Sequence, residues 1–258
     1  MRSLLACWRL LRAVAHVLAG WWIIRSTFAR LTPQQQGARV QQWAGQMLAI
    51  MGIRLLVQGQ PPEHGPLLLV SNHISWLDIL TVHAARHVRF VAKSVIRGWP
   101  VLGALATGGG SLYIERERRR DALRVAHRMS QALAEGDLVA VFPEGTTSDG
   151  SGLLPFHGNL LQAAISAGAP IMPAALRFVD AASGQTSRAP RYIDDDNLIV
   201  SVWRVLTAPP LLAIVRFGEA QSSHGRDRRT WARSLHADVL ALHAQACPEK
   251  KQRSEERC

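Results

Sequence analysis

Val70-Ser71-Asn72-His73-Ile74-Ser75-Trp76-Leu77-Asp78 marks an abrupt change of pattern in the chain. The apolar run Pro66 to Val70 leads into it and has the length and composition of a short buried strand. Ser71 and Asn72 break that run and suit a turn from strand to helix. His73 and Asp78 follow, five positions apart. An imidazole with a carboxylate in reach can take a proton from a hydroxyl, because the carboxylate sets its tautomer and stabilises the imidazolium. On one regular helix, positions five apart are rotated by roughly 140°. The two side chains therefore meet only if His73 sits in the turn and Asp78 in the first turns of the following helix. Alone, the spacing is a weak motif, since a polar loop histidine and an aspartate at a helix start share it.

Outward from this stretch, strands and helices alternate. Ile53 to Val57, Val88 to Ala92, Ser111 to Glu115, Leu138 to Phe142, Ile171 to Leu176 and Leu211 to Phe217 read as strands. Ile79 to Ala85, a pair of short helices across Lys93 to Thr107, Asp121 to Glu135, Asn159 to Ala167 and Thr230 to Ala246 read as helices. Gly136 and Gly168 stop two of them. Residues 180–197 read as a long polar loop, in which Asp194-Asp195-Asp196 is a solvated charge run rather than a cation site. The alternation predicts an α/β fold: a single domain with a mixed, mostly parallel sheet flanked by helices and polar groups gathered at strand ends. Residues 1–51 form membrane-associating helices, 52–247 the main domain, and 248–258 a charged tail expected to be disordered.

The N-terminal segment Leu4 to Ile24 is rich in Leu, Ala, Val and Trp, yet carries Arg9, Arg12 and His16 at helical spacing. Leu10, Val14, Val17, Leu18, Trp21 and Trp22 largely cover the other face. Its longest stretch without Arg or Lys, Ala13 to Ile24, is 12 residues, short of the roughly 20 a spanning helix needs. The expectation is an interfacial amphipathic helix whose basic face meets lipid phosphates. A short span with snorkelling arginines is the alternative. Thr32-Pro33 starts a second helix and Gly52 ends it, which makes a helical hairpin.

The net charge is +11, which calls for an anionic partner. No aromatic platform interleaves with the basic residues, so nucleic acid is not expected. Cys7, Cys247 and Cys258 show neither disulfide nor metal-ligand spacing, which fits a reducing, cytosol-facing location. Three strand ends carry chemistry: Asn72-His73 with Asp78; Gly110 to Arg116; and Phe142-Pro143-Glu144-Gly145-Thr146. A nucleophile elbow, a dinucleotide fingerprint, a Walker A loop, HExxH and paired-Cys motifs are all absent from the sequence. A His-Asp pair without an enzyme nucleophile suits direct attack by a substrate hydroxyl.

These motifs, in this order, resemble the glycerolipid acyltransferase family typified by 1-acylglycerol-3-phosphate acyltransferases. Asn72, His73 and Asp78 match its Asn-His-(four residues)-Asp motif. Gly110, Tyr113, Ile114, Glu115 and Arg116 match its second motif, and Phe142 to Thr146 match Phe-Pro-Glu-Gly-Thr. Ala169-Pro170-Ile171-Met172-Pro173 matches its Pro-bearing strand. The resemblance covers roughly residues 50–220. It implies acyl transfer from acyl-carrier protein or acyl-CoA to the free hydroxyl of a lysolipid, with no cofactor and no metal. His73 is the implied general base and Asp78 its orienting partner. Asn72, Gly110, Arg116, Phe142, Pro143, Glu144, Gly145 and Thr146 are the implied substrate-binding residues. Arg116 and Glu144 would hold the acceptor's head, and Gly145 and Thr146 would shape a turn offering N–H groups to an anion. Pro170 and Pro173 support the strand or the acyl site.

Many members follow Glu-Gly-Thr with Arg, and here that place is Thr147; His157 likewise stands where members often have Lys. The expected acceptor is 1-acyl-glycerol-3-phosphate, giving phosphatidic acid. Glu-Gly-Thr-Thr-Ser-Asp-Gly is also similar to bacterial members that acylate lyso-ornithine lipid, the first alternative. A His-Asp hydrolase acting with water is the second. The substrate places the enzyme at the cytoplasmic face of the inner membrane, on an anionic surface. The sequence leaves oligomeric state open.

Overall fold

Strand β2 (Leu67–Ser71) is buried at every residue. It can be, because every one of its first four side chains is apolar and the strand lies between two parallel neighbours that satisfy its backbone. Those neighbours are β5 (Leu138–Val141) and β6 (Ile171–Asp180). The computed structural model describes residues 2–114, 119–193 and 196–248. The other strands are β1 (Ile53–Gln58), β3 (Arg89–Lys93), β4 (Leu112–Ile114) and β7 (Leu211–Phe217). The sheet runs in the order β1-β7-β6-β2-β5-β3-β4. Only the β6–β7 pairing is antiparallel, so β1 and β7 run against the other five strands. The mixed, mostly parallel sheet is the one the alternation predicts.

Helices cover both faces. They are α1 (Arg2–Thr27), α2 (Pro33–Met51), α3 (Leu77–Ala85), α4 (Leu102–Gly108), α5 (Arg119–Ala134), α6 (Gln162–Ala167), α7 (Leu198–Thr207) and α8 (Arg228–Gln245). Along β2 the side chains alternate. Leu68 and Val70 pack with Met129 and Leu133 of α5 and Trp231 of α8. Leu67 and Leu69 pack with Val82 of α3 and Phe90 of β3. Each such leucine, once buried, contributes about 1.5–3 kcal/mol. Helices α1, α2, α3 and α7 share one apolar cluster on the β1–β7 side, built on Met47, Leu48, Leu77 and Leu206.

Helix α2 begins and ends as its sequence dictates. Thr32 and Gln35 form a reciprocal capping box, Pro33 takes the first turn, and Gly52 closes the helix at φ 80°. Its Trp43 donates from Nε1 to the His16 carbonyl at 3.1 Å, and His16 Nε2 donates back to the Trp43 carbonyl at 3.0 Å. This reciprocal pair, with stacked rings, locks α1 to α2 as a hairpin.

The expected orientation of α1 is corrected. Arg9 Nη1 donates to the Leu206 carbonyl at 3.3 Å, and its guanidinium lies against Gly52. The last carbonyls of a helix are short of donors and carry partial negative charge, so the α7 terminus draws Arg9 inward. Arg9 and His16 are turned to the protein, Arg12 stays exposed as expected, and much of the apolar stripe faces out. Leu4, Leu11 and Trp22 are 78%, 65% and 65% exposed. Helix α1 also has the length and composition of a membrane span, yet it packs along the domain, from Arg9 at α7 to Ile24 against Gly108 of α4.

Helix α7 is a further difference. Residues 198–207, beyond the predicted polar loop, are helical because Asn197 Oδ1 accepts from the Ile199 and Val200 N–H groups. Asp194 and Asp195 lie outside the described residues, while Asp196 pairs with Arg204 at 3.0 Å. Helix α6 starts at Gln162, not Asn159, because residues 158–161 make a turn, with Leu161 N–H donating to Gly158. The residues 249–258 lie outside those described.

Candidate active site

The register of β2 and β5 builds the site. Val70 pairs with Val141, so Asn72-His73 and Phe142-Pro143-Glu144 leave adjacent parallel strands at the same level. Open parallel sheets place their clefts at such strand ends. The two turns are then tied together. The His73 N–H donates to Glu144 Oε1 at 2.8 Å. The His73 carbonyl accepts from Ser148 N at 2.8 Å and Ser148 Oγ at 3.1 Å. His73 is thus fixed at both ends of its backbone by the second turn.

Asp78, fully buried in the first turn of α3, reaches back to the loop. Its Oδ2 accepts from His73 Nδ1 at 2.7 Å, from Ile74 N at 2.6 Å and from Ser75 N at 2.9 Å. Its Oδ1 is buried with no hydrogen-bond partner among the described residues. A carboxylate only accepts, so Nδ1 carries the proton and Nε2 keeps its lone pair. The His73 ring stacks on Phe142 with centroids 4.0 Å apart, and its side chain is 20% exposed. Among the described residues nothing hydrogen-bonds Nε2. The arrangement can accept a proton from a hydroxyl and hold the resulting imidazolium beside a buried negative charge.

Beside His73 opens an apolar cavity of about 930 Å³. Its walls come from α1, α2, α3, β3 and α4, with Gly20, Trp43, Leu80, Phe90 and Leu105 among them. Phe142 and Thr146 border it, as do the cations Arg39 and Lys93. A cavity this size, lined by aliphatic and aromatic groups, accommodates a long apolar chain.

Other expected site residues sit elsewhere. Asn72 is fully buried, and its amide clamps Leu176 of β6 in both directions, accepting at 2.7 Å and donating at 3.0 Å. It joins two strands and is closed to a substrate. Glu144 is buried, and its Oε2 accepts from Leu154 N at 2.9 Å. Each of its oxygens is engaged by a backbone N–H group, so the carboxylate ties the His73 turn to the loop at Leu154. Burial pushes its carboxyl above the usual range, and the two N–H bonds pull the other way. The Gly145 N–H closes its own turn on the Phe142 carbonyl at 3.2 Å, and φ 75° there favours glycine. Pro143 is buried, and its carbonyl accepts from the His157 N–H at 2.8 Å. Gly110 takes φ 76° before β4, and its carbonyl accepts from Arg89. Pro170 and Pro173 support strands through carbonyls that accept from Leu68 N and Gly218 N, and neither borders the cavity. Arg116 and Glu115 lie outside the described residues.

Three features escaped the motif reading. Trp76, inside the His-Asp stretch, donates from Nε1 to the fully buried Ser201 Oγ of α7 at 3.1 Å. The Thr147 hydroxyl donates to the Tyr192 carbonyl, so the loop before α7 lies on the site. His83 borders the cavity, edge-on to Phe90, with its Nδ1 3.3 Å from His87 Nδ1.

Burial, with the charge of His87 behind it, holds the His83 imidazole down to about 3; burial and nearby arginines hold His87 at about 4. Both folded values lie below the unfolded one, so the unfolded state takes up protons first. Stability is present above pH 6.5 and is lost as the pH falls toward 3. From His83 alone, the loss between pH 7.5 and pH 5 is about 2 kcal/mol. In denaturant titrations at those two pH values, His83→Leu should lose about that much less than wild type. An unchanged pH dependence would refute this account.

A family model for acyltransferases matches residues 54–177. The chain is 35% identical to a 1-acyl-sn-glycerol-3-phosphate acyltransferase of Neisseria meningitidis, over 82% of this chain and 83% of that protein. It is 33% identical to the lyso-ornithine lipid O-acyltransferase of Pseudomonas aeruginosa, over 98% of each. The crystal structure of the 1-acyl-sn-glycerophosphate (LPA) acyltransferase PlsC from Thermotoga maritima aligns with a TM-score of 0.72, over 99% of this chain and 100% of that one, at 17% identity. At that identity the likeness speaks for the fold alone.

Proposed function

This chain belongs to the acyltransferase family, and from that premise we propose that it esterifies the free hydroxyl of a lysolipid by a mechanism in which His73 is the general base. The observation that carries the mechanism is the 2.7 Å bond between His73 Nδ1 and Asp78 beside the apolar cavity. Nε2 removes the hydroxyl proton as the oxygen attacks the thioester carbonyl. The carbon–sulfur bond then breaks, and the imidazolium returns the proton to the departing thiolate. A thioester is reactive enough that this step asks for no metal or prosthetic group. The cavity takes an acyl chain, which positions the carbonyl at the base. Acyl-CoA and acyl-carrier protein are both anionic, as the +11 charge favours in a donor.

For the acceptor we favour 1-acyl-glycerol-3-phosphate, on the cations Lys93 and Arg39 at the cavity wall. Lyso-ornithine lipid is the second reading. It is favoured by Thr147, whose hydroxyl is bonded within the site where many members place an arginine. Its support also includes the relative aligned over 98% of both chains. The deciding experiment offers purified enzyme and one labelled donor a panel of lysolipids, with an arm lacking acceptor. Phosphatidic acid as the main product supports the first reading, and ornithine lipid the second. Free fatty acid released at the same rate without acceptor would replace both with a hydrolase.

The outward apolar stripe of α1 supports a monotopic seat on the cytoplasmic leaflet, where lysolipid and a cytosolic donor meet. Deleting α1 is a poor test, since the helix also walls the cavity. Leu11→Glu with Trp22→Glu alters only exposed positions. It should cut binding to anionic vesicles by about tenfold or more, because each change puts a charge where an apolar group would be immersed. Undiminished sedimentation with vesicles would rule out that seat.

A further inference from the structure

Helix α7 presents an apolar face that no other described residue covers. Ile199 is 79% exposed and Val200 59%, with Leu198 and Trp203 beside them. Positions 199, 200 and 203 fall on one side of a helix. The single charged residue of the helix, Arg204, is tied down to the preceding loop. Its guanidinium holds the carbonyls of Ala189 and Arg191 and the carboxylate of Asp196. The opposite face is built in: Ser201 is fully buried, and Val205 and Leu206 pack with Ala6 of α1. Four large apolar side chains left in water on a ten-residue helix are a cost that a lone surface residue does not raise.

We infer that α7 is a second bilayer contact, which inserts Leu198, Ile199 and Val200 among lipid chains with Trp203 at the headgroup level, and couples that seating to the catalytic turn through the Ser201–Trp76 hydrogen bond. This rests on the proposed membrane seat of α1. The occupant is lipid because α7 packs directly on α1, whose own exposed side is apolar, and the two helices are tied by the Arg9 bond to Leu206. The chain's +11 charge suits an anionic leaflet, and Trp203 is a side chain that favours the headgroup level. The coupling follows from position. Trp76 lies between His73 and Asp78 and borders the cavity, so a shift of α7 moves the wall beside the base.

The test uses the full chain with Cys7, Cys247 and Cys258 changed to Ser. An environment-sensitive fluorophore is attached at Ile199→Cys or, as a control on the opposite sheet face, at exposed Ser166→Cys. With vesicles of phosphatidylglycerol and phosphatidylethanolamine, the label at 199 should shift to the blue and be quenched by brominated lipid. The label at 166 should do neither. Ile199→Ser with Val200→Ser should lower turnover of vesicle-embedded lysolipid by about tenfold, while turnover of detergent-dispersed lysolipid stays within about twofold. If the protein sediments with vesicles but the label at 199 does not respond, α7 is not a membrane contact and the seat of α1 stands. If wild type does not bind vesicles, both fail. A label that shifts without vesicles as concentration rises assigns the face to a second copy of the chain and overturns the lipid assignment.

Discussion

With purified protein, labelled acyl donor and dispersed lysolipid, His73→Ala is expected to lower kcat by about 10²–10⁴-fold and to leave the fold in place. The fold should survive because, among the described residues, the imidazole makes one hydrogen bond and one ring stack, on Phe142. The strand-to-turn path is set instead by backbone bonds to Glu144 and Ser148. Asp78 divides into two roles that different variants separate. Asp78→Asn can leave one oxygen facing the Ile74 and Ser75 N–H groups and His73 Nδ1, and removes the charge. It should cost less than His73→Ala, in kcat and not in the thermal midpoint. Asp78→Ala strips two buried N–H groups of their acceptor, at about 1–3 kcal/mol each, and should also lower the midpoint. Near wild-type turnover in His73→Ala would end the general-base mechanism. If Asp78→Asn were as damaging as His73→Ala with the fold intact, the negative charge would be as necessary as the base.

The sequence carried the sheet because strands buried on both faces are written as continuous apolar runs, and β2, β5, β6 and β7 are such runs. It did not carry the pairing of β2 with β5, which lie some seventy residues apart and are brought together only by the tertiary fold. That pairing turns two separate motifs into one site. Helix α7 was illegible for a different reason: Ile199, Val200 and Val202 are β-branched, so only the Asn197 cap signalled a helix. The chemistry of a side chain also misled where burial decided its use. Asn72 and Glu144 have the polarity of ligands, yet each is buried and occupied by backbone. Arg9 has the charge of a lipid contact but answers a helix terminus. The cavity left no trace, since Gly20, Leu80 and Leu105 on its walls read like any core residues.

Glu144 gives the second large effect, and its sign separates a tether from a ligand. The carboxylate offers one oxygen to the His73 N–H at 2.8 Å and the other to the Leu154 N–H at 2.9 Å. A glutamine has one acceptor and one NH₂, so Glu144→Gln sets a donor against a donor at one end. The cost is about 1–3 kcal/mol of stability for the buried N–H left without an acceptor. Where the lost bond is the one to His73, the base moves relative to the thioester carbon, and a displacement near 1 Å is worth about 10²-fold. The expected result is a kcat lowered about 10–10²-fold with the KM for lysolipid little changed. Were Glu144 instead holding the acceptor's head, the KM would rise and kcat would hold. Glu144→Asp sharpens the contrast. It restores the charge but is one methylene too short to span the two N–H groups. A head-binding carboxylate would be largely rescued by Asp, while a tether would stay as impaired as in Gln. A rise in KM reversed by Asp would return Glu144 to the acceptor site and leave the His73 backbone to be held by Ser148 alone.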